Sequence, residues 1–174
     1  FEIVPDVYIK NVHFIPYMAN GKWNAMTEVR VCNLSDETLN AEVRITLAGH
    51  AESGVIQIPG GSEVCAVFES EFENVKAWSH EDPALYMLNT VLVLNGEEAD
   101  DLIERVGFRT VEVRDTKIYL NGAPIYLKGF NRHEDYAVDG CAVSLQHMVQ
   151  DMDMMQDMNV NAVRTCHYPN DERF

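Results

Sequence analysis

The sequence predicts a mainly β chain: an antiparallel sandwich followed by one strand–helix–strand unit. Three observations predict it. About seven short runs of alternating or β-branched residues, parted by turn residues, fill the first hundred positions. The pattern changes near residue 109. Beyond that point a single amphipathic stretch lies between two largely apolar runs.

The elements follow in order. Val7 to Ile15 is rich in β-branched and aromatic residues, and Asn20-Gly21 is a hairpin signal. Glu28 to Cys32 alternates polar and apolar, and Asn33-Leu34-Ser35-Asp36 is turn chemistry. Glu42–Leu47, Val55–Ile58, Glu63–Phe68, Leu85–Leu94 and Leu102–Phe108 supply the remaining strands. Val29 and Val31 claim the inward face of their strand, so Cys32 should point outward and a Cys32–Cys65 bridge is not expected. Val111–Val113 and Ile118–Leu120 flank a short polar turn. Pro124 to Phe130 reads as one buried strand. Ser144 can cap a helix from Leu145 to about Met158, with Leu145, Met148, Met152 and Met155 on one stripe. Val160 to Arg164 completes a βαβ unit, which cannot cover its own sheet. The expected domains are therefore 1–108 and 109–174.

A chain of 174 residues has room for one domain, or a small domain plus part of another. With 47% hydrophobic and 24% charged residues it has ordinary globular composition. A formal charge of −15 argues against nucleic acid and against an anionic membrane surface, and suits a small substrate. No apolar run approaches the roughly 20 residues of a membrane helix, and no signal segment is evident. Cys32, Cys65, Cys141 and Cys166 show neither zinc spacing nor a disulfide framework. The opening at Phe1-Glu2-Ile3 and the stop at Glu172-Arg173-Phe174 are what a piece of a longer chain would show.

Three chemistries compete for the second segment. Metal binding could draw on His133-Glu134-Asp135, or on His147 and Asp151 one helical turn apart. Neither has HExxH or calcium-loop spacing, and a solvated acidic helix face accounts for the aspartates. Nucleophilic catalysis by Cys166 beside His167 is disfavoured, because neighbours on a strand point to opposite faces. The third reading rests on position. Asn131-Arg132-His133-Glu134-Asp135 follows one buried strand, and Arg164, His167, Tyr168 and Asn170 follow the next. In a parallel barrel such strand ends form the active face.

These stretches also carry a resemblance. Gly107-Phe108-Arg109-Thr110, Leu120-Asn121-Gly122-Ala123-Pro124-Ile125, Lys128 to Asp135 and Asn161 to Asn170 closely resemble glycoside hydrolase family 2. That family includes β-galactosidases, β-glucuronidases and β-mannosidases. Ala77 to Tyr86 resembles another family stretch, with His80 where proline is usual. The resemblance implies an immunoglobulin-like β-sandwich followed by the first βαβ unit of a (β/α)8 barrel. It implies that His133 and His167 bind sugar hydroxyls and that Arg164 orients the nucleophile. Arg132, Glu134, Asp135 and Asn170 would support that face from behind.

The family's reaction is retaining, with two carboxyl groups about 5–5.5 Å apart. Its acid/base glutamate follows an asparagine. No Asn-Glu pair occurs here, so no catalytic residue is expected within the chain and both catalytic glutamates are expected beyond residue 174. The resemblance implies no metal or cofactor in this stretch, and allows a divalent cation in the full-length enzyme. The expected whole is a cytoplasmic homo-oligomer hydrolysing terminal β-linked sugars, with β-galactoside the first choice. The alternatives are a β-glucuronidase, or a non-catalytic carbohydrate-binding or scaffolding module.

Overall fold

The computed structural model describes residues 3–171 and 173–174. It divides into two compact units, Phe1–Ala123 and Pro124–Phe174.

In the first unit the alternating runs become seven strands in two antiparallel sheets. β1 (Val7–Ala19), β2 (Lys22–Asn33) and a strand that will be β5 (Ser62–Phe72) make one sheet, in the order β1-β2-β5. β3 (Leu39–Leu47), β4 (His50–Ile58), β6 (Tyr86–Leu94) and β7 (Glu97–Val106) make the other, in the order β4-β3-β6-β7. Three strands over four is the immunoglobulin-like arrangement that the sequence predicts. The Asn20-Gly21 and Asn95-Gly96 pairs have positive φ at both positions, which matches the twist of the hairpins they close. Asn33 is fully buried at the end of β2. Its amide donates to the carbonyls of Glu37 (2.8 Å) and Ile58 (3.1 Å), and its Oδ1 accepts from the Ser35 amide and hydroxyl. That is why the predicted turn sits where it does.

Alternate residues of both sheets fill the core, with Val29, Val31, Val43, Ile58 and Leu92 wholly buried. Phe108 closes one end. Its ring, fully buried, meets Phe14, Trp23, Phe72 and Tyr86 edge-on at centroid distances of 5.0–5.8 Å. Edge-to-face contacts of this kind add to simple burial. The Ala77–Tyr86 stretch wraps the same residue. The Trp78 amide donates to the Phe108 carbonyl (2.8 Å), the Arg109 guanidinium lies 5.0 Å over the Trp78 ring, and the Lys76 amide donates to the Tyr86 hydroxyl. Where His80 replaces proline, the turn is held by Ser79, whose amide donates to the Asp82 carbonyl and whose hydroxyl accepts the Asp82 amide.

Two expectations need correction. Cys32 faces away from the core as expected, yet it is buried, because Tyr8 opposite it on β1 covers it. The contact with Cys32 raises the Tyr8 hydroxyl above its usual pKa. Cys32 and Cys65 also lie on adjacent strands of one sheet, and both are free thiols.

Secondly, Pro124–Phe130 is not one strand. It is split between β10 (Ala123–Ile125) and β11 (Gly129–Arg132), and Asn161 explains the gap. Its side chain accepts the Lys128 amide (2.8 Å) and donates to the Tyr126 carbonyl (3.0 Å), which removes those groups from any ladder.

The sequence pattern changes after Phe108, and the division into compact units falls after Ala123. The hairpin of β8 (Val111–Arg114) and β9 (Lys117–Leu120) stays with the sandwich through Asn121. That side chain accepts the Thr110 amide and donates to the Trp78 carbonyl, both at 2.9 Å.

In the second unit, α1 (Leu145–Asp157) joins β11 to β12 (Ala162–Thr165), which pair in parallel. Ser144 caps α1 as predicted, accepting the His147 amide at 3.3 Å. Of the predicted apolar stripe only Met148 is buried; Leu145 and Met152 are about half exposed. Among the described residues no helix is long and apolar enough to cross a membrane.

Replacing Phe108 with alanine should destabilise the sandwich by about 3–5 kcal/mol, since the cavity lies among four rings that cannot all collapse into it. Denaturant unfolding followed by tryptophan fluorescence measures this. A loss under about 1 kcal/mol would mean the rings repack freely.

Candidate functional site

The second unit brings the two polar clusters together. β11 and β12 pair in register, Asn131 opposite Arg164 and Arg132 opposite Thr165, and the Cys166 amide extends the ladder by donating to the Arg132 carbonyl (3.0 Å). The pairing depends on Gly129. A Cβ there would lie 2.0 Å from the Ala162 carbonyl oxygen, so no larger residue lets the strands approach. Parallel pairing puts both C-terminal ends at one edge, and the predicted site residues emerge there.

His133 and His167 are both exposed, with ring centroids 5.4 Å apart and planes inclined at 69°. Tyr168 stands 6.3 Å from the His133 ring, and its hydroxyl accepts the Glu134 amide at 2.9 Å. Arg164 lies beside them. Its Nη2 is 3.4 Å from His167 Nδ1, and its Nη1 donates to Cys166 Sγ at 3.3 Å. His167 has φ of 73°, in the left-handed region. For a residue with a Cβ that costs on the order of 1 kcal/mol, and such strain concentrates at functional sites. It also overturns the expectation about Cys166 and His167. The strand ends at Thr165, so its alternation no longer applies, and ligand atoms of His133, Cys166 and His167 all lie within 4.8 Å of one another.

Arg132 is buried, its side chain only 4% exposed. Its Nε donates to Asp151 Oδ2 on α1 at 2.9 Å. Its Nη1 donates to Asn170 Oδ1 at 3.3 Å and stands 3.7 Å from Glu134 Oε2, while the Phe174 ring lies 4.0 Å beneath the guanidinium carbon. A buried cation needs such partners, because desolvation otherwise outweighs any gain from its position. Glu134 also accepts the Asp171 amide at 2.9 Å, and Asn170 donates to the Tyr168 carbonyl. The geometry thus joins Arg132, Glu134 and Asn170 in one network.

Asp135 is not part of it. That side chain is exposed on the rim of a groove of about 360 Å³ bordered by Phe130, His133, Asp151 and Met155, and among the described residues it makes no hydrogen bond. Asp151, expected to be a solvated helix carboxylate, is the principal counter-ion of Arg132. His147 parts from Asp151 and stacks on Tyr136 at 3.6 Å, with Nδ1 3.5 Å from Asp139. Asp171 is clamped by Arg173, which holds its carboxyl well below the usual range, so it stays ionised and cannot serve as an acid. Glu172, the other carboxylate considered near the site, lies outside the described residues.

Asp151→Ala should leave Arg132 buried with one distant carboxylate and cost the second unit about 3 kcal/mol. Helical circular dichroism on thermal melting would report it. An unchanged melt would mean that Glu134 alone suffices.

Comparison with known proteins fits this geometry. Residues 7–109 match the model described as glycosyl hydrolases family 2, and residues 111–174 match that of the family 2 TIM barrel domain. The chain is 38% identical over 157 residues to the β-galactosidase large subunit of Lactobacillus acidophilus, covering 80% of this chain and 24% of that protein. It superposes on a family 2 β-galacturonidase from Eisenbergiella tayi, solved with bound galacturonate, with a TM-score of 0.88. That match has 34% identity and covers 98% of this chain and 31% of the other. For the Parabacteroides merdae β-glucuronidase the TM-score is 0.78 at 26% identity, covering 97% and 22%. The chain spans about a quarter of the length of the first of these relatives. With family models matching nearly its whole length, as an immunoglobulin-like sandwich and the start of a TIM barrel, the chain belongs to glycosyl hydrolase family 2.

Proposed function

We propose that this chain is part of a retaining β-glycosidase that removes terminal β-linked sugars, with β-galactoside as substrate. The observation that carries the reading is the pair of exposed imidazoles, His133 and His167, facing each other at the C-terminal ends of two parallel strands. In this reading the two rings hydrogen-bond hydroxyls of the sugar being cleaved. Arg164, one residue short of the end of β12, orients and ionises the nucleophilic carboxylate. Arg132, Glu134 and Asn170 hold the two strand ends at fixed separation, and Asp135 contributes from the rim.

Retention needs one protonated and one ionised carboxyl group at short range. Glu134 is committed to Arg132 and to the Asp171 amide, and Asp171 to Arg173. The catalytic pair is therefore assigned to residues outside this chain.

A divalent cation in the longer enzyme is part of the same reading. The ligand atoms that converge here are one thiol and two imidazoles, a donor set unsuited to a hard, oxygen-seeking ion, so no step is assigned to a metal at this site.

A uronic acid as the sugar is the second reading. It is favoured by the match to the β-galacturonidase, which superposes over 98% of the chain with a TM-score of 0.88.

The test uses the longer enzyme with aryl β-galactoside, β-glucuronide and β-galacturonide. Hydrolysis of the galactoside with retention is expected, while preference for a uronide would select the second reading. His133→Ala and His167→Ala should each lower kcat/KM by about a hundredfold or more while the melting temperature holds. Activity that survived while stability collapsed would make the histidines structural. The 174-residue chain alone should show no turnover with any of the three substrates.

A further inference from the structure

The strand-end cluster contains a group that sugar binding does not use. Cys166 is 1% exposed and free, and its sulfur lies among the two imidazoles and the Arg164 guanidinium. The ligand atoms of His133, Cys166 and His167 lie within 4.8 Å of one another. Zinc bonds of about 2.3 Å to sulfur and 2.0–2.1 Å to nitrogen put tetrahedral ligands about 3.5 Å apart. Closing the cluster therefore takes movements of about an ångström, and both exposed rings can supply them.

A cation already occupies this position. Arg164 donates to Cys166 Sγ at 3.3 Å, and its second nitrogen is 3.4 Å from His167 Nδ1, so one guanidinium spans two of the three ligands. One sulfur and two imidazole nitrogens select borderline-soft ions of the zinc type over magnesium or calcium.

We infer that His133, Cys166 and His167 form a three-ligand site for a zinc-class divalent ion, which binds by displacing the Arg164 guanidinium. The thiol proton, which Cys166 shares with the Arg164 carbonyl, leaves to solvent on binding, and a fourth position stays open to water. The site goes beyond the sugar-binding reading and does not rest on it. Ion and sugar would compete for the same two imidazoles, whereas the measurement below contains no sugar.

The probe is cobalt(II), titrated into the 174-residue chain in buffer free of thiols and chelators. A single site should give a thiolate-to-cobalt charge-transfer band and tetrahedral d–d absorption, both abolished by equimolar zinc. The charge-transfer band should vanish in Cys166→Ser and persist in Cys65→Ser/Cys141→Ser. His133→Ala and His167→Ala should each weaken binding on the order of tenfold or more. Arg164→Met should tighten it, and unchanged affinity there would overturn displacement of the guanidinium. No band at equimolar cobalt, or a band retained in Cys166→Ser, would overturn the site. Should Cys166→Ser not fold, alkylation of Cys166 in the unaltered chain, followed by peptide mass spectrometry, replaces it. Zinc should slow that alkylation, and an unchanged rate would overturn the site equally.

Discussion

The barrel-start unit depends on one buried guanidinium. Arg132 sits on β11 and reaches α1 through Asp151, the following loop through Glu134, and the segment after β12 through Asn170 and Phe174. Two strands and one helix bury little apolar surface: Met148, Val143 and Cys166 are the buried apolar side chains of this unit among the described residues. Hydrophobic burial alone therefore does not fix the positions of the two strand ends. A charge-assisted network does, and its directionality suits the task, because hydrogen bonds constrain angle and register where apolar contacts do not. The imidazoles follow directly on these two strands.

The sandwich is built on the opposite principle. Its alternating strands bury a continuous apolar core, and its buried Asn33 is hydrogen-bonded within a turn. Phe108 lies where the core ends, and the Trp78 segment is fastened to its backbone. The motif containing Trp78 thus acts through packing and contains no group placed for chemistry.

Legibility of the sequence followed the same division. Strands with strict alternation, such as Glu42–Leu47, were readable because period-two patterning and burial agree. The break in Pro124–Phe130 was not, because its cause is Asn161, thirty-odd positions away, whose side chain captures backbone groups that a strand would use. Asp151 was misread for a related reason. On its helix it belongs to the polar face, and only the tertiary approach of Arg132 turns it into the counter-ion of a buried cation. Local pattern reports which face a residue occupies, and it is silent on what arrives there.

Cys166 and His167 show the consequence most sharply. Strand alternation would send adjacent side chains to opposite faces, and that rule separates them in sequence. The strand ends at Thr165, however, and the left-handed backbone of His167 brings its ring within reach of the sulfur. A residue with a Cβ adopts that conformation only where its surroundings hold it there. Here the Tyr168 hydroxyl receives the Glu134 amide, and Asn170, one turn further on, is fixed by Arg132. The guanidinium that anchors the strand ends thereby also sets the turn that gathers two imidazoles, a thiol and Arg164 into one cluster.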